Sequence, residues 1–159
     1  MHKPFRSTVA AVVACGVLLT VPGAAVADDA AMKAAIPAAF DALAKKERAA
    51  SKAIQNFNRR DRATKAGRAK VRAVGRAVRT FQALLMGQQP STPQGEEARR
   101  ALMQALDLEA KATARIDLAM KSANRSSVSR TNRIIARANK TLRRANEAAR
   151  RAIGLIQAL

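Results

Sequence analysis

The sequence predicts an all-α protein, an up-down-up-down four-helix bundle that follows a cleaved export signal. Three observations predict it. Beyond residue 27 the chain is dominated by Ala, Arg and other strong helix formers, with no Trp or Tyr and only Phe40, Phe57 and Phe81 as aromatics. Apolar residues return at alternating steps of three and four in four separate stretches. One Gly- and Pro-containing break, Gly87 to Pro93, divides those stretches two and two.

The first element is the export signal. Met1 to Arg6 is short and basic, and the 13 residues from Val9 to Val21 are apolar except for Gly16 and Thr20. Pro22-Gly23 breaks that run, and Ala25-Val26-Ala27 presents the small side chains a signal peptidase accepts, just before Asp28-Asp29. Cleavage is therefore expected between Ala27 and Asp28, with Ala25 and Ala27 as the recognised small residues. A spanning helix needs about 20 apolar residues, more than this run supplies. Lipoprotein processing at Cys15 fits less well, because Val17-Leu18-Leu19 continues the apolar run beyond it. The chain thus divides into a signal peptide, 1–27, and one helical domain, 28–159.

Within the domain, Ile36, Phe40, Leu43, Glu47, Ala50, Ile54 and Phe57 mark a first helix near 31–57, and Val71, Val74, Val78, Phe81 and Leu85 a second near 61–86. Asn58-Arg59 reads as the turn between them, with Asp61 as an N-cap. Gly87 suits a helix C′ position and Thr92-Pro93 an N-cap followed by Pro at N1, so 87–92 is the linker. Leu102, Leu106, Ala112, Ile116 and Met120 mark a third helix over 93–123. A second Asn-Arg pair, Asn124-Arg125, with Ser126 or Ser127 as cap, precedes a fourth over 127–158. There Val128, Thr131, Ile135, Ala138, Leu142, Ala145, Ala149, Ala152, Ile156 and Leu159 form the longest seam. The halves, about 31–86 and 93–158, align at an offset of 66 residues, which pairs Ile36 with Leu102, Phe40 with Leu106 and Asn58-Arg59 with Asn124-Arg125. A rival reading joins each half into one helix of more than 50 residues, a long antiparallel two-helix hairpin. The seven-residue spacing of Ile36, Leu43, Ala50, Phe57, Thr64, Val71, Val78 and Leu85 speaks for it.

Loss of residues 1–27 removes Cys15 and His2, the only cysteine and histidine. The domain then has no disulfide, no thiol nucleophile, no imidazole base and no soft metal ligand, which argues against an enzyme and against a cofactor. Glu47 interrupts the first seam and Glu109 occupies the matching place on the third helix, so a carboxylate metal site is conceivable. The di-iron bundle pattern also needs Glu-x-x-His, which is lacking. A structural polar layer reached by Arg72, Arg76, Arg143 or Arg144 is the expected alternative. Met32, Met86, Met103 and Met120 are expected to fill gaps in the core.

The domain's net charge of +17 on 132 residues is segregated by helix. Residues 28–58 carry five basic and four acidic side chains and 93–120 carry four and five, whereas 59–80 carry nine and one and 121–151 ten and one. On the fourth helix Arg130, Arg133, Arg137, Lys140 and Arg144 lie about 200° from the apolar seam. Arg62, Lys65, Arg72, Arg76 and Arg79 make a comparable row on the second. One cation per turn, about 5.4 Å apart, can follow a row of anions. The expected partners are anionic lipid, wall polymer or another extracytoplasmic polyanion, with a protein partner or homo-oligomer as a further class. Sequence-specific nucleic-acid binding is not expected, because no zinc-finger spacing, helix-turn-helix signature or aromatic platform is present. Two other readings compete: a soluble structural or partner-binding bundle whose charge serves solubility, and a lipid-associating protein whose amphipathic helices open into a membrane.

Overall fold

The structure is a computed structural model and describes residues 27–60, 62–123 and 128–159. The signal segment up to Val26, with His2, Cys15 and Ala25, lies outside the described residues, as do Asp61 and the Asn124-Arg125-Ser126-Ser127 connection. The described residues are all helical apart from short connections: α1 (Ala27–Arg60), α2 (Lys65–Met86), α3 (Pro93–Ala123) and α4 (Val128–Gln157). They pack as a bundle, with α2 lying against both α1 and α3, and α3 packed along α4.

Each helix runs opposite to the one before it, and side-chain contacts fix the direction. Phe40 of α1 meets Phe81 of α2 edge to face, with ring centroids 5.1 Å apart. Arg68 near the start of α2 bonds Asp117 near the end of α3. At the two ends of the α3–α4 pair, Glu97 bonds Arg151 and Ser122 bonds Thr131. Two long helices in place of four would leave these reversals unmade. The rival hairpin therefore does not hold, and its heptad register across Thr64 is interrupted by the non-helical residues 62–64.

The seams read from the sequence form the core. Met32, Ile36, Val71, Val78, Phe81, Leu85, Leu102, Met120 and Ile156 are almost wholly removed from solvent, each worth about 1.5–3 kcal/mol of transfer free energy. One seam residue and one expected gap-filler depart. Val128 is exposed at the start of α4, and Met86 is exposed at the end of α2, so it fills no gap. A further pattern explains why α3 and α4 are the most closely packed pair. Buried Ala98, Ala105, Ala112 and Ala119 recur every seven residues on α3, and buried Ala138, Ala145 and Ala152 do the same on α4. Seams without side chains beyond Cβ let two backbones approach closely.

The connections differ from the expected ones at one place. Asn58-Arg59 is not a turn: α1 continues through it to Arg60. The start of α2 shifts accordingly, because Thr64 takes the N-cap role expected of Asp61, its hydroxyl accepting from Gly67 N at 2.9 Å. Thr92 caps α3 as expected, accepting from Gly95 N at 3.0 Å with Pro93 in the first turn. Gly87 ends α2 with φ −77°, ψ −10°, an ordinary right-handed conformation that does not use glycine's special freedom. Pro37 sits inside α1, where its missing N–H leaves the Lys33 carbonyl without an intrahelical donor.

Asp29 ties the start of α1 to the 87–92 linker. Its side chain is buried and accepts from Ser91 N at 3.0 Å and from the Thr92 hydroxyl at 2.5 Å. The Thr92 hydroxyl therefore bridges the buried carboxylate and the first N–H groups of α3. Gly95 is required beside it, since a Cβ there would overlap the Asp29 carboxylate and lie 2.9 Å from the Pro90 Cβ.

Candidate anion-binding surface

Helical spacing places the basic side chains in strips. Lys65, Arg68, Arg72, Arg76 and Arg79 follow one another at steps of three and four along α2, opposite the buried residues Val71, Val74, Val78 and Phe81. Arg130, Arg133, Arg137, Lys140 and Arg144 do so on α4, opposite Thr131, Ile135, Ala138 and Leu142. All ten cations expected from the sequence are exposed: Arg62, Lys65, Arg72, Arg76 and Arg79 of the first set and Arg130, Arg133, Arg137, Lys140 and Arg144 of the second. Arg62 precedes α2 and does not belong to its helical strip.

Nearly all of these cations lack neutralising partners. Among the described residues only Arg72 has a carboxylate within reach, Asp117 at 3.9 Å, and the other nine have none. Several acidic side chains are engaged elsewhere. Arg68 holds Asp117 in a two-pronged bond of 2.9 and 3.0 Å. Glu96 is paired to Arg99 at 2.9 Å, and the bond to Arg99 holds its carboxyl below the usual range. Asp107 binds Lys111 and Glu97 binds Arg151. Unpaired like charges at one per turn sum to a positive potential that attracts mobile anions and steers larger ones.

Sequence reasoning passed over two cations that position these strips. Arg68 lies within the α2 row and is anchored to α3, its side chain only 22 % exposed. Arg151 extends the α4 row and bonds Glu97 of α3 at 2.8 Å. Their spacing relative to the other cations was visible; that each would find a carboxylate on α3 was not.

Glu47 and Glu109 do meet, across α1 and α3, through a side-chain hydrogen bond. Both are partly buried. Burial first, then the bond to Glu47 and its negative charge, push the Glu109 carboxyl up to about 9. The expected arginines do not reach in. Arg72, Arg76, Arg143 and Arg144 are exposed, and among the described residues no cation pairs with either glutamate. A protonated carboxyl donating to a carboxylate satisfies the pair without one. No group of three or more metal-ligating side chains occurs among the described residues.

Of the cleavage residues, Ala27 and Asp28 open α1, while Ala25 lies outside the described residues. No described helix is long and apolar enough to cross a membrane. Comparison with known proteins finds no matching family model, no matching curated protein and no matching solved structure.

Proposed function

We propose that the chain is exported, loses residues 1–27, and acts as a non-catalytic up-down-up-down bundle that binds anionic envelope material through the basic rows of α2 and α4. The observation that carries the reading is the exposed, unpaired state of nine of the ten row cations among the described residues. A charge of +17 on the exported domain exceeds the roughly 2–8 charges that solubility asks of a small domain. Discarding His2 and Cys15 with the signal leaves the domain without the side chains most catalysis uses.

The test is charge reversal. Changing Arg133, Arg137, Lys140 and Arg144 together to Glu should abolish retention on vesicles containing anionic lipid, while circular dichroism stays helical. Retention of the folded variant at the original strength would overturn the reading. Dye-loaded vesicles separate it from the membrane-opening alternative: surface adhesion leaves them sealed.

A further inference from the structure

We infer that the two basic rows form a single flat cationic face centred on α3, and that this face docks on an anionic lipid bilayer. The inference rests on the anion-binding reading above and adds which face binds and what shape of ligand it fits.

The contacts of α3 fix the geometry. On one flank Asp117 receives Arg68 and Arg72 of α2, and Gly75 of α2 lies over Thr113. On the other flank Glu97 bonds Arg151 of α4, Arg115 bonds the Thr141 hydroxyl, and Ser122 meets Thr131. Each basic row therefore borders α3, because Arg68 is a member of the α2 strip and Arg151 continues the α4 strip. The third side of α3 faces the core, where Glu109 meets Glu47 of α1. What remains of α3 is one exposed strip at steps of four and three: Arg100, Gln104, Asp107, Lys111, Ala114, Leu118 and Lys121. It points away from α1 and lies between the two rows.

The rows also run side by side. Arg68 is level with Asp117 and Thr131 with Ser122, so both begin at the same end of α3. Lys65 to Arg79 then extends about 21 Å at 1.5 Å per residue. Neighbouring helix axes lie about 8–10 Å apart, which sets the rows roughly 20 Å from each other. A linear polyanion can track one row; a surface that presents anions in two dimensions engages both at once. Leu118, 51 % exposed midway between the rows with Ala114 one turn away, offers apolar contact where the face meets a lipid interface. α1 packs on the opposite shoulder of α2 and meets α3 at Glu47 and Glu109.

The experiment compares the purified protein with three variants that keep the aliphatic stems: K65Q/R72Q/R76Q/R79Q on α2, R133Q/R137Q/K140Q/R144Q on α4, and K45Q/K46Q/K52Q on α1. Probes are vesicles of phosphatidylglycerol in phosphatidylcholine and soluble linear polyphosphate. Each α2 or α4 variant should lose vesicle affinity by about fivefold per cation removed, roughly several hundredfold in total. The α1 variant should stay within about twofold of the parent, since its cations lie off the docking face. On polyphosphate either single-row variant should retain most of the affinity, and circular dichroism should show it as helical as the parent. Equal losses from α1 and from the rows, or full vesicle affinity with one row removed, would overturn the flat face. Binding to polyphosphate without binding to vesicles would overturn the bilayer as ligand while leaving the anion-binding reading intact. Binding to neither would overturn both.

Discussion

Replacing Glu109 by Gln tests the most perturbed group in the core. The Glu109 carboxyl sits at about 9 in the folded chain against an ordinary value of 4.5, chiefly because burial penalises its charge. Between those values the folded state holds a proton that the unfolded state has released. With more protons bound to the native state, stability must fall as pH rises through that window, at a slope approaching about 1.4 kcal/mol per pH unit. Below the lower value both states are protonated and the contribution is complete; above the upper one it is lost. From about pH 5 to pH 8 the loss reaches at most about 4 kcal/mol, large against a total stability of roughly 5–15 kcal/mol. The amide of E109Q keeps the shape and an N–H donor toward Glu47 but has no such proton to lose. Urea unfolding of both proteins, followed by circular dichroism across that pH range, gives the difference directly. The common effect of the other carboxylates cancels in it. E109Q should match the parent at the acid end and exceed it at the alkaline end. Parallel stability curves, or a parent that gains on the variant as pH rises, would refute the buried shared proton.

Three further outcomes follow from the packing. Asp29→Ala should lower stability by about 2 kcal/mol, because the Ser91 N–H and the Thr92 hydroxyl lose their buried charged acceptor; a urea midpoint unchanged from the parent would contradict it. Two glycines should respond with opposite sign to Ala. At Gly95 a Cβ collides with Asp29 and Pro90, and the thermal midpoint should fall, while at Gly154 nothing lies within 4 Å and relief of glycine's backbone entropy should add about 0.5–1 kcal/mol. Phe81→Ala should cost about 3–5 kcal/mol by leaving a cavity against Phe40, measured as a shift in urea midpoint at constant m-value.

The periodicity of the chain made the helices legible because a buried stripe is a local property of sequence. Val71, Val74, Val78, Phe81 and Leu85 could face only one way. Capping was legible where the residue types were unambiguous, as at Thr92-Pro93, and misread at Asn58-Arg59. There helix propensity and the packing of buried Phe57 and Ala63 carry α1 on to Arg60. The Ala98, Ala105, Ala112, Ala119 spacing stood in plain view, but in a chain so rich in Ala it carries no contrast until the partner seam on α4 is placed against it. The basic rows were legible as rows. Their relation to each other was not, since it depends on which flank of α3 each helix occupies, and the contacts that fix this, Arg68 with Asp117 and Arg151 with Glu97, join residues 49 and 54 apart. The pairing of Glu47 with Glu109 was anticipated from matching depth, whereas the lack of an arginine beside it follows from the outward direction of Arg72 and Arg76.

If the unpaired cations of α2 and α4 bind anionic envelope material, the affinity for anionic vesicles must depend on ionic strength. Screening shortens from about 10 Å at 0.1 M salt to about 3 Å at 1 M, less than the rise from one row cation to the next. Binding should be tight at low salt, fall steeply and reach the level of neutral vesicles at the high end. Affinity that holds constant across the series, or equals that for neutral vesicles at low salt, would contradict it.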